Sequence, residues 1–157
     1  MTGDAMPELR DYADEQRAAE VRGMKLGSAV LDVGRFDRSD YADELSTAEA
    51  NDRIGTKILF ENDRVRVWEI DLKPGGRMPF HSHTTPYFWV CVDGAPATGR
   101  EPDGSMSLFD HQAGEVDFLP LRPGEQLVHD LENSGASRLR FVTVELLNYF
   151  PRINGRV

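Results

Sequence analysis

Beyond about Thr56 the chain settles into short apolar runs in which every second residue is polar, broken by clusters of Gly, Pro, Asn and Asp. Alternation with a period of two marks strands that bury one face. It predicts strands over Lys57–Phe60, Val65–Leu72, Met78–His83, Tyr87–Val92, Ala97–Arg100, Ser105–Asp110, Glu115–Leu119, Leu127–Leu131 and Leu139–Leu147. Turns are predicted at Asn62-Asp63, Pro74-Gly75-Gly76, Asp93-Gly94, Pro102-Asp103-Gly104, Pro123-Gly124 and Asn133-Ser134-Gly135. The Pro102-Asp103-Gly104 turn predicts a hairpin between its neighbours. Many short strands at this spacing predict an all-β sandwich or barrel.

Before Lys57 the pattern is fainter. Leu9, Tyr12, Ala13, Gln16 and Ala19 form a weak apolar stripe at helical spacing, with Pro7 placed for a first turn and Gly23 and Gly27 placed for a stop. Arg38 to Ala50 reads as a second short helix, capped by Ser39 or Asp40. Neither segment has the apolar surface to fold alone. Each packs on the body or on a neighbouring subunit, or stays in part disordered. The expected organisation is an extension over residues 1–56, helical or partly disordered, a barrel over 57–148 and a tail over 149–157.

At 157 residues one domain is expected. The net charge of -9 argues against nucleic acid and anionic membrane surfaces as partners. No apolar run approaches the ~18 residues of a spanning helix, and the N-terminus has no signal-peptide core. The single cysteine, Cys91, excludes an internal disulfide and fits a reducing compartment, so a cytoplasmic location is expected.

The chemistry concentrates in Pro79-Phe80-His81-Ser82-His83, followed by Tyr87-Phe88-Trp89-Val90-Cys91. Two histidines two apart on a strand point the same way. His129 follows in a separate apolar stretch, with Asn133 four residues on. Three convergent imidazoles are a first shell for Zn, Fe, Ni or Cu. They carry no charge, so a divalent ion keeps its full Lewis acidity and open positions. Cys91 alternates in phase with His83 and Tyr87, and either lines the same cavity or fills core. Trp89 shares that inward face by parity. Arg77 and Arg140 are the candidate clamps for a carboxylate, though both read more naturally as surface residues. Glu69, if inward, supports a ligand imidazole. His111 reads as a surface turn residue.

These residues resemble the cupin superfamily, a double-stranded β-helix or jelly-roll barrel, over about Lys57 to Asn148. Gly76, His81, His83 and Gly94 match its first motif, with Tyr87 standing where a glutamate belongs. Gly114, Pro120, His129 and Asn133 match the second, with a longer gap before the histidine that puts Glu125 at the ungapped position. Glu125 is therefore the substitute ligand for His129. The phrase Asn62-Asp63-Arg64-Val65-Arg66-Val67 is similar to small bacterial single-domain cupins associated with β-alanine degradation.

The resemblance implies a mononuclear metal site of His81, His83 and His129, with Fe(II) favoured and Zn, Ni or Cu as alternatives. It places Tyr87 inside the barrel, where the phenol reaches the metal or a ligand, acts as acid or base, or packs. Three-histidine cupins include dioxygenases of small diketones and thiols. The expected function is oxygenation of a small polar metabolite, such as a carboxylic acid. A lyase or isomerase, or a cupin that binds ligand or metal without turnover, is the alternative. Homodimerisation through sheet edges is also implied.

Overall fold

A computed structural model of the chain describes residues 29–149. The helix expected from Pro7 lies outside them, as does the expected tail beyond Tyr149. The strands are β1 (Ala29–Arg35), β2 (Lys57–Glu61), β3 (Val65–Leu72), β4 (Arg77–His83), β5 (Tyr87–Asp93), β6 (Pro96–Arg100), β7 (Ser105–Asp110), β8 (Val116–Leu119), β9 (Leu127–Asn133) and β10 (Leu139–Leu146). Each strand predicted from alternation forms, with ends shifted by a residue or two.

β1 was not predicted. The sequence reading places no strand ahead of Lys57, yet Ala29–Arg35 pairs along the whole of β7. Its alternation is weak because it is an edge strand with Val30, Leu31 and Val33 all exposed. Pairing with β7, rather than burial of one face, makes it a strand.

Two five-stranded sheets result, in the orders β1-β7-β6-β9-β4 and β2-β3-β10-β5-β8. Every pairing is antiparallel. From β3 to β10 the chain passes from one sheet to the other at every connection except the β6–β7 hairpin, which makes a double-stranded β-helix. β6 and β7 form the hairpin expected at Pro102-Asp103-Gly104, where Gly104 takes a left-handed φ of 91°.

Inward alternation builds the core. Trp68, Ile70 and Leu72 of β3 face Leu139 and Phe141 of β10, and Met78, Cys91, Ala95 and Ala97 complete the filling. This apolar plug closes one end of the barrel.

β4 changes face midway. Met78 pairs with Leu131 but His81 pairs with His129, so β4 spends one residue more than β9 over that stretch. The extra residue is a bulge, and a bulge reverses which side chains point inward. Met78 lies in the core, whereas Phe80 turns outward and His81 and His83 turn in. Phe80 is still 1% exposed, because Phe36 and Tyr41 cover it.

That cover is the helical segment. Arg38–Tyr41 is a 3-10 turn, α1 spans Ala42–Thr47, and a second 3-10 turn takes Ala48–Ala50. The predicted span is helical throughout, but the cap is Asp37 rather than Ser39 or Asp40: its carboxylate accepts from Ser39 N–H at 2.9 Å. Arg77 pins the segment to the outer face of β4 and β9. It donates to both carboxylate oxygens of Glu44 (2.7 and 2.8 Å) and to Asp130 (2.6 Å), with its guanidinium 4.5 Å over the Tyr41 ring. Asn51 then closes the free edge of β4: its carbonyl accepts from Ser82 N–H and its side chain donates to Phe80 C=O.

Candidate metal centre and cavity

The β4 bulge and the β4–β9 register bring three histidines together. His81 and His129 are direct cross-strand partners, and His83 stands two residues beyond His81. The ring centroids are 4.7 Å apart for His81 and His129, and 5.0 Å for each of the other two pairs. One nitrogen from each ring lies within 4.8 Å of the others. The lengthened loop before β9 therefore changes nothing at the site, because strand pairing sets the position of His129.

Each ring is prepared to ligate. His81 Nδ1 donates to Pro79 C=O at 2.8 Å, which fixes the tautomer and leaves Nε2 with its lone pair free. His83 Nε2 and His129 Nε2 approach to 2.9 Å, and His83 Nδ1 is buried without a hydrogen-bond partner. Burial keeps the rings neutral: it lowers His81, lowers His83 well below the usual range with help from His129 and His81, and pushes His129 down to about 3. Neutral imidazoles with converging lone pairs are the form that binds a divalent cation. The donor set fits such an ion, and three nitrogens leave further coordination positions open.

Tyr87 is brought to the same place. Its ring stacks on His83, with centroids 4.0 Å apart and planes 16° from parallel. Burial, with Asp117 nearby, raises the phenol well above its usual range, so it stays protonated. Glu125 is not brought in: its carboxylate turns back to accept from Arg122 N–H in the same loop. Among the described residues, the histidine cluster is the only group of its kind that could hold a metal ion.

Other expectations divide. Trp89 does line the cavity beside the histidines. Cys91 does not, and is a core residue at 1% exposure. Glu69 is on the face of β3 opposite Trp68 and Ile70, turned away from the site. Arg77, read as solvated surface, is instead the clamp described above. Arg140 pairs with Asp93 at 3.0 Å, away from the cavity. Asn133 keeps its distance from His129 but does not reach the site. It is fully buried and ties a turn, donating to Leu72 C=O and Ser137 C=O and accepting from Gly135 N–H.

His111 was expected on the surface and is 6% exposed, packed among Trp89, Phe109 and Phe141 in the cavity wall. The available signal was its spacing of two from Phe109, which continues the inward phase of β7. Ile54 was missed as well. It is fully buried and lines the cavity from the segment that precedes β2, and no alternation marks it.

The cavity between the sheets has a volume of about 380 Å³, toward the small end of the range for small-molecule sites. The histidines and Tyr87 occupy one part of it. Trp89, Leu131 and Phe141 form a floor continuous with the core. Among the described residues, no helix is long and apolar enough to cross a membrane.

No family model matches the chain, and no curated protein matches it. Solved structures do. A cupin domain from Bordetella pertussis Tohama I is 27% identical, with a TM-score of 0.51 over 57% of this chain and 88% of that one. A double-stranded β-helix protein from Klebsiella pneumoniae is 20% identical over 73% of this chain and 90% of that one, with a TM-score of 0.47. A cupin superfamily protein from Desulfitobacterium hafniense is 16% identical over 66% of this chain and 86% of that one, with a TM-score of 0.43. With the sheet order and the antiparallel pairing, the likeness to the Bordetella domain identifies the fold of this chain as the cupin double-stranded β-helix.

Proposed function

We propose that the protein is a small mononuclear metal-dependent cupin enzyme that oxygenates a small polar metabolite. The observation that carries this reading is the convergence of three neutral imidazoles, without a carboxylate among them, in the cavity between the sheets. His81, His83 and His129 would hold the ion, with Fe(II) favoured and Zn, Ni or Cu as alternatives. A bound ion of this kind supplies Lewis acidity and, as iron, redox chemistry.

The chain's own residues supply the rest. Pro79 C=O orients His81, and the Tyr87 ring holds the plane of His83. The phenol of Tyr87, protonated across the physiological range, acts as a hydrogen-bond donor toward a bound molecule and not as a base. The apolar floor excludes water and strengthens each polar contact made above it. Kinship with the β-alanine-associated cupins, a cytoplasmic location and a homodimer belong to the same reading. Exposed apolar side chains on the outer strands β1 and β2 support the homodimer.

The test is metal analysis of protein purified without a nickel column, followed by oxygen uptake across a panel of small metabolites. Bound iron with substrate-dependent oxygen consumption is the expected result. Bound zinc with no oxygen consumption would move the reading to a lyase, an isomerase or a non-catalytic binder.

A further inference from the structure

We infer that the outer face of the β2-β3-β10-β5-β8 sheet is the surface on which a second copy of this chain docks. The inference rests on the homodimer named above and assigns it a surface; the metal centre is independent of it.

The first sign is in the sequence. Tyr87-Phe88-Trp89-Val90-Cys91-Val92 is apolar without a break, whereas a strand with one face in water alternates. Register extends this across the sheet. Phe60 pairs with Val67, Val67 with Val144, Val144 with Phe88, and Phe88 with Phe118, so one apolar row crosses all five strands. The next row adds Val142, Val90 and Val116. Both rows point outward, because Trp68, Tyr87, Thr143 and Glu145, their neighbours along the chain, are buried. Phe60 and Val116, at opposite edges, are 54% and 55% exposed, and Val67, Phe88 and Val144 between them are half-buried. The helical segment packs on β4, in the other sheet. Tyr149 lies against Phe118 at the β8 end, with ring centroids 6.1 Å apart.

Charge and area point to a second copy. With a net charge of -9, copies of this chain repel one another in general. The charges that share this face are balanced, however: Lys57 stands opposite Glu69, Arg140 pairs with Asp93, and Arg138 pairs with Asp71. An apolar face with no net charge is complementary to itself under a two-fold axis, as an isologous dimer requires. The five strands lie about 4.8 Å apart and the four outward rows about 6.7 Å apart, a face of roughly 500 Å² per copy. Two such faces reach the roughly 1,000 Å² of a specific interface. Residues 1–28 match it less well, since the stripe there offers Leu9 and Tyr12 as its large apolar members.

Val144 sits in the middle of the row, so it carries the test. Sedimentation of the full chain should find a dimer, and Val144→Lys, shown folded by circular dichroism, should weaken that dimer by at least about 100-fold. Gln112→Lys, which adds the same charge at an exposed loop position, should leave it unchanged. The thiol of Val144→Cys should react with a maleimide at least about tenfold faster at dilutions where the protein is monomeric than where it is dimeric; Cys91, 1% exposed, stays unreactive. A dimer indifferent to Val144→Lys would overturn the inference and leave the homodimer to the sheet edges. A thiol equally shielded in monomer and dimer would overturn it by assigning the face to the chain's own terminal segments. A monomer at every concentration would overturn the inference and the homodimer together. Zinc binding measured on the same samples tests the metal centre separately, because no residue of this face is among the three histidines.

Discussion

His129 is the residue on which the metal reading turns, and its test is a comparison with Glu125. The ring of His129 stands among the other two, while the Glu125 carboxylate is occupied in its own loop. His129→Ala should weaken divalent metal binding by more than about 100-fold, since losing even an outer partner of a ligand costs about 10–100-fold. Glu125→Ala should leave affinity unchanged within about twofold. A metal titration of the two variants side by side checks this, and the opposite pattern would replace the three-histidine set with two histidines and a carboxylate. Asn133 predicts a stability effect instead. Its amide donates to two carbonyl oxygens in the interior, so Asn133→Asp puts a carboxylate against both. The loss should be about 2–3 kcal/mol or more in urea denaturation, with metal affinity per folded molecule unchanged. Gly94 shows what a glycine can be for when its φ is ordinary. A Cβ there would sit 2.3 Å from His111 C=O and 3.0 Å from Ala113 N, so the glycine lets two stretches of backbone approach beside the cavity.

At the level of elements, Arg77 is the ionic tie between α1 and the barrel. In Arg77→Met, Asp130 would keep Arg100 but lose its partner on β4, and Glu44 would lose its fork. The expected cost is about 2–3 kcal/mol, below the ~3–5 of a fully stranded buried charge. Faster amide exchange across residues 42–50, ahead of the barrel strands, would show that the segment detaches first. The same clamp predicts acid lability. The hydrogen bond from Arg77 holds the Glu44 carboxyl below its ordinary 4.5, assisted by Phe80 N–H and by the charges of Arg77 and Arg100, and opposed by burial. A depressed carboxyl contributes its full stability above the unfolded value and loses it as pH falls through the folded value. The melting temperature should therefore drop on acidification below about pH 4.5, and Glu44→Gln should make that drop shallower. An unchanged slope in the variant would remove Glu44 from the account. The effect is modest, because the carboxylate is a third exposed and screened by water.

At the scale of the molecule, the outer strands carry the question of assembly. Val33 is 70% exposed on β1, and Phe60 is 54% exposed on β2. Both strands end their sheets, and exposed apolar edges invite pairing. Sedimentation should find a dimer at micromolar protein, and Phe60→Lys or Val33→Lys should shift it toward monomer without unfolding the barrel. A monomer at every concentration would retire the homodimer.

The sequence by itself determined the strands, because burying one face of a strand writes a period of two into the chain and the turns supply Gly, Pro, Asn and Asp at the breaks. It also determined that His81 and His83 share a face, since two residues on one strand need no partner to agree. What needed the tertiary structure was each relation between distant segments. β1 exists because β7 pairs with it, His129 joins the site because β9 lies beside β4 in a particular register, and the β4 bulge decides which side chains of that strand face inward. Arg77 became a clamp and His111 a cavity residue for the same reason. Whether a polar side chain meets water or a partner depends on what packs over it, and neither α1 over Arg77 nor Trp89 and Phe141 against His111 are close to it in the chain.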